Sequence, residues 1–212
     1  MNGYRLKIIR HGRTDANTTG MYAGITDIRL NDEGISELSA KKEKYEYSSV
    51  QKVYSSPLTR CVETAQLLFP DTLLFKVNEM REMNLGAFEG KNPDQLINVP
   101  EFREWLKGGA DNAPPFGESL RNVLERTFEG FNFIVKNMMD EGLTDCALIT
   151  HSGIIMNSLS CFGLPKAKPM EFSSDFGEGF ELLFTASMWQ RSSVFEILGK
   201  YPYTKNEPED NN

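Results

Sequence analysis

Short apolar runs alternate with longer amphipathic stretches along this chain, the pattern of strands and helices taken in turn. Residues 4–10 form the first predicted strand, mostly apolar and so suited to a central place in a sheet. Further strands are predicted at 50–54, 72–77 and 146–150, with 180–184 and 193–198 as a closing, antiparallel pair. Asn31-Asp32-Glu33 reads as a helix start, a capping residue followed by acids at the positive end of the dipole, and that helix runs to about Lys44. A second helix is predicted after residue 55, with Ser56 as its cap and Pro57 in the first position, where a missing N–H costs nothing. Residues 93–107 suggest a short helix bent near Pro100. The clearest period follows Ser119: Leu120, Val123, Leu124, Phe128, Phe131, Ile134, Val135 and Met138 keep a three/four spacing that marks core packing. A last helix spans 153–161.

The polar segments read as connections. Residues 12–30 form a loop able to fold over a site, 81–90 a Gly-rich turn, 111–117 a Pro/Gly linker and 163–179 a long surface loop. Residues 204–212, with Pro208, acids and asparagines, read as a disordered tail. The alternation indicates one α/β domain over residues 1–203.

The two histidines of the chain share one context. Leu6-Lys7-Ile8-Ile9-Arg10-His11-Gly12 and Ala147-Leu148-Ile149-Thr150-His151-Ser152-Gly153 are both apolar runs that end in an imidazole close to a glycine. A lone histidine there is most simply a core residue; two weaken that reading. Ligands of open α/β sheets bind beyond the carboxyl ends of the strands, where both histidines fall.

The net charge of −7 argues against non-specific binding to nucleic acid or anionic membranes, so any positive field must be local. Arg10 and Arg13 beside His11 supply one. Cys61, Cys146 and Cys161 are widely spaced, which gives neither a disulfide framework nor a CxxC metal pattern. No signal peptide or membrane-length apolar run is present, so a cytoplasmic location is the default.

Several chemistries are excluded by absent motifs: GxxxxGK[ST], GxGxxG after a strand, HExxH and GxSxG. Two histidines and a glutamate resemble a metal set, but the adjacent arginines would repel a cation, so no metal or other cofactor is expected. Arg60, in the first turn of the second predicted helix, adds a guanidinium where free N–H groups and a helix dipole suit a phosphate or carboxylate. Together with Glu82 these are the parts of phosphoryl transfer. A neutral imidazole attacks phosphorus, guanidinium groups hold the oxygens, and a protonated carboxyl donates to the departing ester oxygen. Nearby cations favour loss of the Glu82 proton, so burial or the bound phosphate must keep it there.

Arg10-His11-Gly12-Arg13-Thr14, Ser55-Ser56-Pro57-Leu58-x-Arg60, Glu82 before an LGxFEG-like turn and Thr150-His151-Ser152-Gly153 occur in one order over nearly the whole chain. Together they resemble the histidine phosphatase (phosphoglycerate mutase-like) superfamily. The resemblance implies a three-layer α/β/α sandwich with a mostly parallel central sheet. It implies His11 as the phosphorylated nucleophile, Glu82 as proton donor, and Arg10, Arg60 and His151 lining the phosphate pocket. Thr14, Asn17 and Ser152 fall at matching phosphate-binding positions. Arg13 departs from the pattern, which has Glu or Gln there; it either adds charge at the pocket entrance for a doubly anionic substrate or points outward.

Three function classes remain. The first is a metal-independent phosphomonoesterase acting on a small phosphorylated metabolite. The others are a mutase and a non-catalytic phosphate-binding protein. The chain lacks the Trp-Asn pair of the mutase branch, having Ala16-Asn17, and is short for it; the hydrolase is favoured. Phe172, Phe176 and Phe180, with Leu96 and Trp105, read either as an apolar pocket mouth or as ordinary core. No second apolar stripe signals a protein partner, so oligomeric state stays open.

Overall fold

The computed structural model describes residues 3–205. In chain order the first half gives β1 (Tyr4–Arg10), α1 (Asp15–Thr19), α2 (Asp32–Lys44), β2 (Tyr45–Glu46), β3 (Lys52–Ser55), α3 (Thr59–Leu68) and β4 (Leu74–Lys76). Then come α4 (Pro93–Leu96), α5 (Pro100–Leu106), α6 (Leu120–Asp140), β5 (Asp145–Thr150) and α7 (Ser152–Phe162). The chain closes with β6 (Gly163–Leu164), β7 (Gly179–Phe184), α8 (Ala186–Ser192), β8 (Phe195–Tyr201) and β9 (Tyr203–Thr204).

Seven of these strands make one sheet in the order β4-β3-β5-β1-β7-β8-β6. β4, β3, β5 and β1 run parallel, and β7 turns the sheet antiparallel on the far side of β1. β1 is therefore central, as its apolar run demands. Its side chains alternate between two cores. Leu6 and Ile8 join Cys146, Leu148 and Tyr54 on the face covered by α6 and α7, where Phe131, Ile134, Val135, Ile154 and Leu159 are buried. Ile9 joins Ala147, Ile149 and Val53 on the other face, under Leu38 of α2 and Cys61, Ala65 and Leu68 of α3. Helix, sheet, helix is the three-layer arrangement that the resemblance implied. Each fully buried large apolar side chain contributes roughly 1.5–3 kcal/mol relative to exposure. No helix among the described residues is long and apolar enough to cross a membrane.

The caps of the longer helices follow the sequence reading. Asn31 Oδ1 accepts from Gly34 N at 2.8 Å, and Ser119 Oγ accepts from Asn122 N at 3.2 Å. α3 does not. It begins at Thr59, capped from a distance by Asp27, whose carboxylate accepts from Thr59 N (2.6 Å) and Thr59 Oγ1 (2.7 Å). A carboxylate of the chain itself thus already sits where free N–H groups were expected to meet phosphate. α1 and α8 form inside stretches without a usable period, and the 93–107 helix breaks into α4 and α5 because Pro100 restricts the residue before it. The 163–179 loop is not wholly superficial: β6 pairs with β8, and Phe172 is buried against Phe180 with 5.7 Å between ring centroids. Thr204, assigned to the tail, instead pairs with Tyr45 in a small β2–β9 ribbon. The rest of the expected tail, residues 206–212, lies outside the described residues.

Candidate active site

The register of the central pair brings the two histidines together. Arg10 lies opposite Thr150, so His11 and His151 leave the sheet side by side, and His11 N donates to Thr150 O at 2.9 Å. Their rings meet edge to face with centroids 5.2 Å apart. His11 Nδ1 lies 2.6 Å from Gly12 O. A carbonyl only accepts, so Nδ1 carries the proton in the neutral ring and Nε2 keeps its lone pair. Burial, reinforced by the charges of Arg60 and Arg10, pushes the His11 pKa down to about 3. The imidazole is neutral at ordinary pH. His151 is also held well below its usual value, mainly by burial and then by Arg60 and His11. Its Nε2 is 2.8 Å from Ser56 Oγ, so the serine expected to cap a helix instead orients the second imidazole.

Arg60 is 2% exposed and carries its charge into this interior. Nη2 donates to Gly24 O (2.7 Å) and Nη1 to Thr26 O (2.9 Å), which fixes the plane and leaves three N–H groups uncommitted to those carbonyls. The carbonyls are held in turn by Glu89 of the Gly-rich turn, whose carboxylate accepts from Gly24 N and Ile25 N, both at 3.0 Å. One turn along α3, Thr64 Oγ1 donates to Arg60 O and accepts from Gly12 N, tying the arginine helix to the loop after His11. Arg10 donates from Nη1 to Ser174 O at 2.8 Å, and its buried Nε has no hydrogen-bond partner among the described residues.

Phe176 covers this cluster. Its ring centroid is 4.0 Å from Arg10 Cζ and 4.8 Å from Arg13 Cζ, with the His11 ring 6.2 Å away. Of Phe172, Phe176 and Phe180, only Phe176 stands at the site; Phe172 and the β7 residue Phe180 belong to the core. Arg13 is directed to α2, with Nη2 2.9 Å from Glu37 Oε1 and Nε 3.7 Å from Glu33 Oε1. Its charge is matched by acids, which disfavours the entrance-charge reading. Thr14 N and Oγ1 both donate to Asn17 Oδ1 at the start of α1, so this pair shapes the loop after His11. Ser152 is the first residue of α7, directly beyond His151.

Glu82 reaches the start of α7, two residues beyond His151. Its Oε1 accepts from Met83 N at 2.9 Å and Oε2 from Gly153 N at 3.3 Å. Burial raises its pKa, outweighing those two hydrogen bonds and the Arg60 charge. Desolvation wins, and the proton is retained to higher pH than on an ordinary carboxyl. The Glu82 loop is held by Arg126 of α6, which donates to the carbonyls of Glu79 (2.7 Å), Arg81 (2.8 Å) and Glu82 (3.0 Å) while paired with Glu118. Neither Arg126 nor Thr64 was singled out in the sequence, though Thr64 shares a helix face with Arg60 at i+4.

Gly153 is required by close approach: a Cβ there would lie 2.8 Å from Glu82 Oε1. Gly153→Ala is expected to displace the carboxyl and lower kcat on alkyl phosphates roughly tenfold or more, since small misplacements of a reacting group are costly. A thermal melt alongside steady-state kinetics checks this, with Tm shifted by only a few degrees at most; unchanged kcat would show that Glu82 need not sit there.

A neutral imidazole, buried guanidinium groups and a carboxyl whose pKa is raised by burial are the parts that phosphoryl transfer needs. The chain belongs to the histidine phosphatase superfamily, branch 1, whose family model matches residues 6–193. It is an enzyme of phosphatase and phosphoglycerate mutase type. It is 27% identical over 194 residues to phosphoglycerate mutase-like protein 4 of Arabidopsis thaliana, covering 86% of this chain and 80% of that protein. It is 30% identical over 162 residues to a broad-specificity phosphatase of Saccharomyces cerevisiae, covering 73% and 68%. The crystal structure of a putative alpha-ribazole-5'-P phosphatase from Escherichia coli superimposes with a TM-score of 0.81 at 21% identity, covering 98% of this chain and all of that one.

Proposed function

We propose that this enzyme hydrolyses a small phosphomonoester in two displacements at His11, with no metal required. The observation that carries the reading is the His11 tautomer: Nδ1 is committed to Gly12 O, so Nε2 is the free nucleophile beside Arg10 and Arg60. In the first displacement the Nε2 lone pair forms a bond to phosphorus while the ester P–O bond breaks. The Glu82 proton passes to the departing oxygen. In the second, water attacks the phosphorus, gives a proton to the Glu82 carboxylate, and the P–N electron pair returns to Nε2. The orphaned Arg10 Nε and the uncommitted Arg60 N–H groups hold the non-bridging oxygens, with His151, Ser152, Thr14 and Asn17 around them. Three free cysteines, Cys61 and Cys146 buried and Cys161 exposed, suit a reducing, cytoplasmic setting.

Phosphate release from a panel of phosphomonoesters with chelator present tests the reading. Release that survives chelation is expected. Absence of release by folded protein, with phosphoryl exchange between positions of one substrate, would make it a mutase instead.

The acid role has its own signature. Loss of activity on alkyl esters is expected as pH rises through the elevated Glu82 pKa, because the protonated form is the donor. Glu82→Gln is expected to abolish that alkaline limb and lower kcat roughly a hundredfold or more. The loss will be smaller on p-nitrophenyl phosphate, whose leaving group needs little protonation. An identical alkaline limb in the variant would assign the titration to another group.

A further inference from the structure

Beside Glu82 a cleft of about 450 Å³ opens between α5, α7 and the loop before α2. Its walls include Met21, Tyr22, Met83, Trp105, Val123 and Met156. A smaller recess of about 230 Å³ continues past Trp105 and Met83 to Leu120. Among the described residues lining either space there is no lysine, arginine or histidine, and the only carboxylic acid is Glu82 itself. Tyr22 and Trp105 meet edge to face at 5.9 Å, giving the cleft an aromatic corner. One polar handle is placed there. Asn157 Nδ2 donates to Gly153 O at 2.8 Å, leaving its carbonyl oxygen as an acceptor. Two guanidinium groups bordering the cleft are held by other partners: Arg60 donates to Gly24 O and Thr26 O, and Arg126 is paired with Glu118.

We infer that the substrate is the phosphomonoester of an uncharged, apolar or aromatic alcohol, and that esters carrying a second anionic group are rejected. This rests on the hydrolase reading above and adds its leaving-group specificity. The positive charge of the site is concentrated where the transferred phosphoryl group sits, at Arg10 and Arg60. A carboxylate or second phosphate on the alcohol would be desolvated against methionine and tryptophan with no cation to meet it, a heavy penalty. An apolar ring in the same place loses water-exposed surface and gains contact with the aromatic corner. The same lack of a cation among the described residues lining this cleft works against a bisphosphate intermediate lodged there, and hence against mutase chemistry.

The test compares kcat/KM on phenethyl phosphate, glycerol phosphate and phosphoglycerate. All three are alkyl esters, so differences in leaving-group acidity are small. Phenethyl phosphate is expected to exceed phosphoglycerate by roughly a hundredfold or more, with glycerol phosphate between them. Met156→Lys, which brings a cation into the cleft, is expected to shrink that ratio at least tenfold, and the ratio is insensitive to the fraction of folded enzyme. Phosphoglycerate turned over as well as or better than phenethyl phosphate would overturn the inference and leave the hydrolase standing. An unchanged ratio in Met156→Lys would overturn the assignment of this cleft to the leaving group. No release from any of the three would overturn both readings together.

Discussion

His11→Ala is expected to lower kcat on every phosphomonoester by on the order of ten-thousandfold or more, the scale on which removal of a covalent nucleophile acts. The reason lies in what His11 is given by its surroundings. Burial and two nearby arginines keep it neutral, and Gly12 O accepts a hydrogen bond from the Nδ1 that carries the proton. Phosphorylation at Nε2 makes the ring cationic, and the 2.6 Å contact to the carbonyl then becomes charge-assisted and stabilises the intermediate. Arg60 and Arg10 disfavour a positive imidazole in the free enzyme but lose that effect once phosphate oxygens neutralise them. Brief exposure to substrate labelled in its phosphate should mark the wild type and leave the variant unmarked. Substantial turnover by His11→Ala would remove the covalent mechanism.

Arg60→Ala is expected to cost about a thousandfold in kcat/KM and also to destabilise the fold. The catalytic part is the loss of a fixed charge aimed at the transferring group, roughly 3–4 kcal/mol in comparable sites. The structural part comes from the carbonyls of Gly24 and Thr26, which lose their donors. Each such loss costs about 1–3 kcal/mol where water cannot reach the oxygen. Arg60→Lys will rescue little, because one ammonium cannot span two carbonyls and still face the phosphate in a fixed plane. Removing the charge will also raise the His11 pKa, so activity in Arg60→Ala should fail at a higher pH on the acid side. Kinetics across acid pH together with thermal melts check all three points; Arg60→Lys within threefold of wild type would show that the planar fork is unnecessary.

Some of this site was visible in the chain because local pattern carried it. An apolar run that ends in Arg10-His11-Gly12 announces a strand end, and Thr150-His151-Ser152-Gly153 announces another. The long period after Ser119 specifies α6 because one stripe must be buried over many turns. What escaped was set by distant residues. Asp27 caps α3 from 32 positions away, which moves the helix start from Ser56 to Thr59 and frees Ser56 for His151. Arg13 finds Glu37 only after α2 folds back beside the nucleophile loop. Phe176 could not be separated from Phe172 and Phe180 by sequence, since all three are apolar residues in or at the end of one connection; only the packed fold shows which one faces guanidinium groups. α1 and α8 are too short for periodicity to distinguish them from loops.

The central position of β1 has a consequence for how the chain is made. The strands that flank residues 4–10, at 145–150 and 179–184, are synthesised more than a hundred residues after them. Until then Leu6, Ile8 and Ile9 belong to a strand with both edges open, the kind of segment that invites pairing with another chain. The nucleophile is attached to that same strand. Its buried state exists only after β5 has delivered Thr150 and His151 beside it, so a growing chain carries an ordinary, solvated histidine until those residues have been added and acquires a buried one only then.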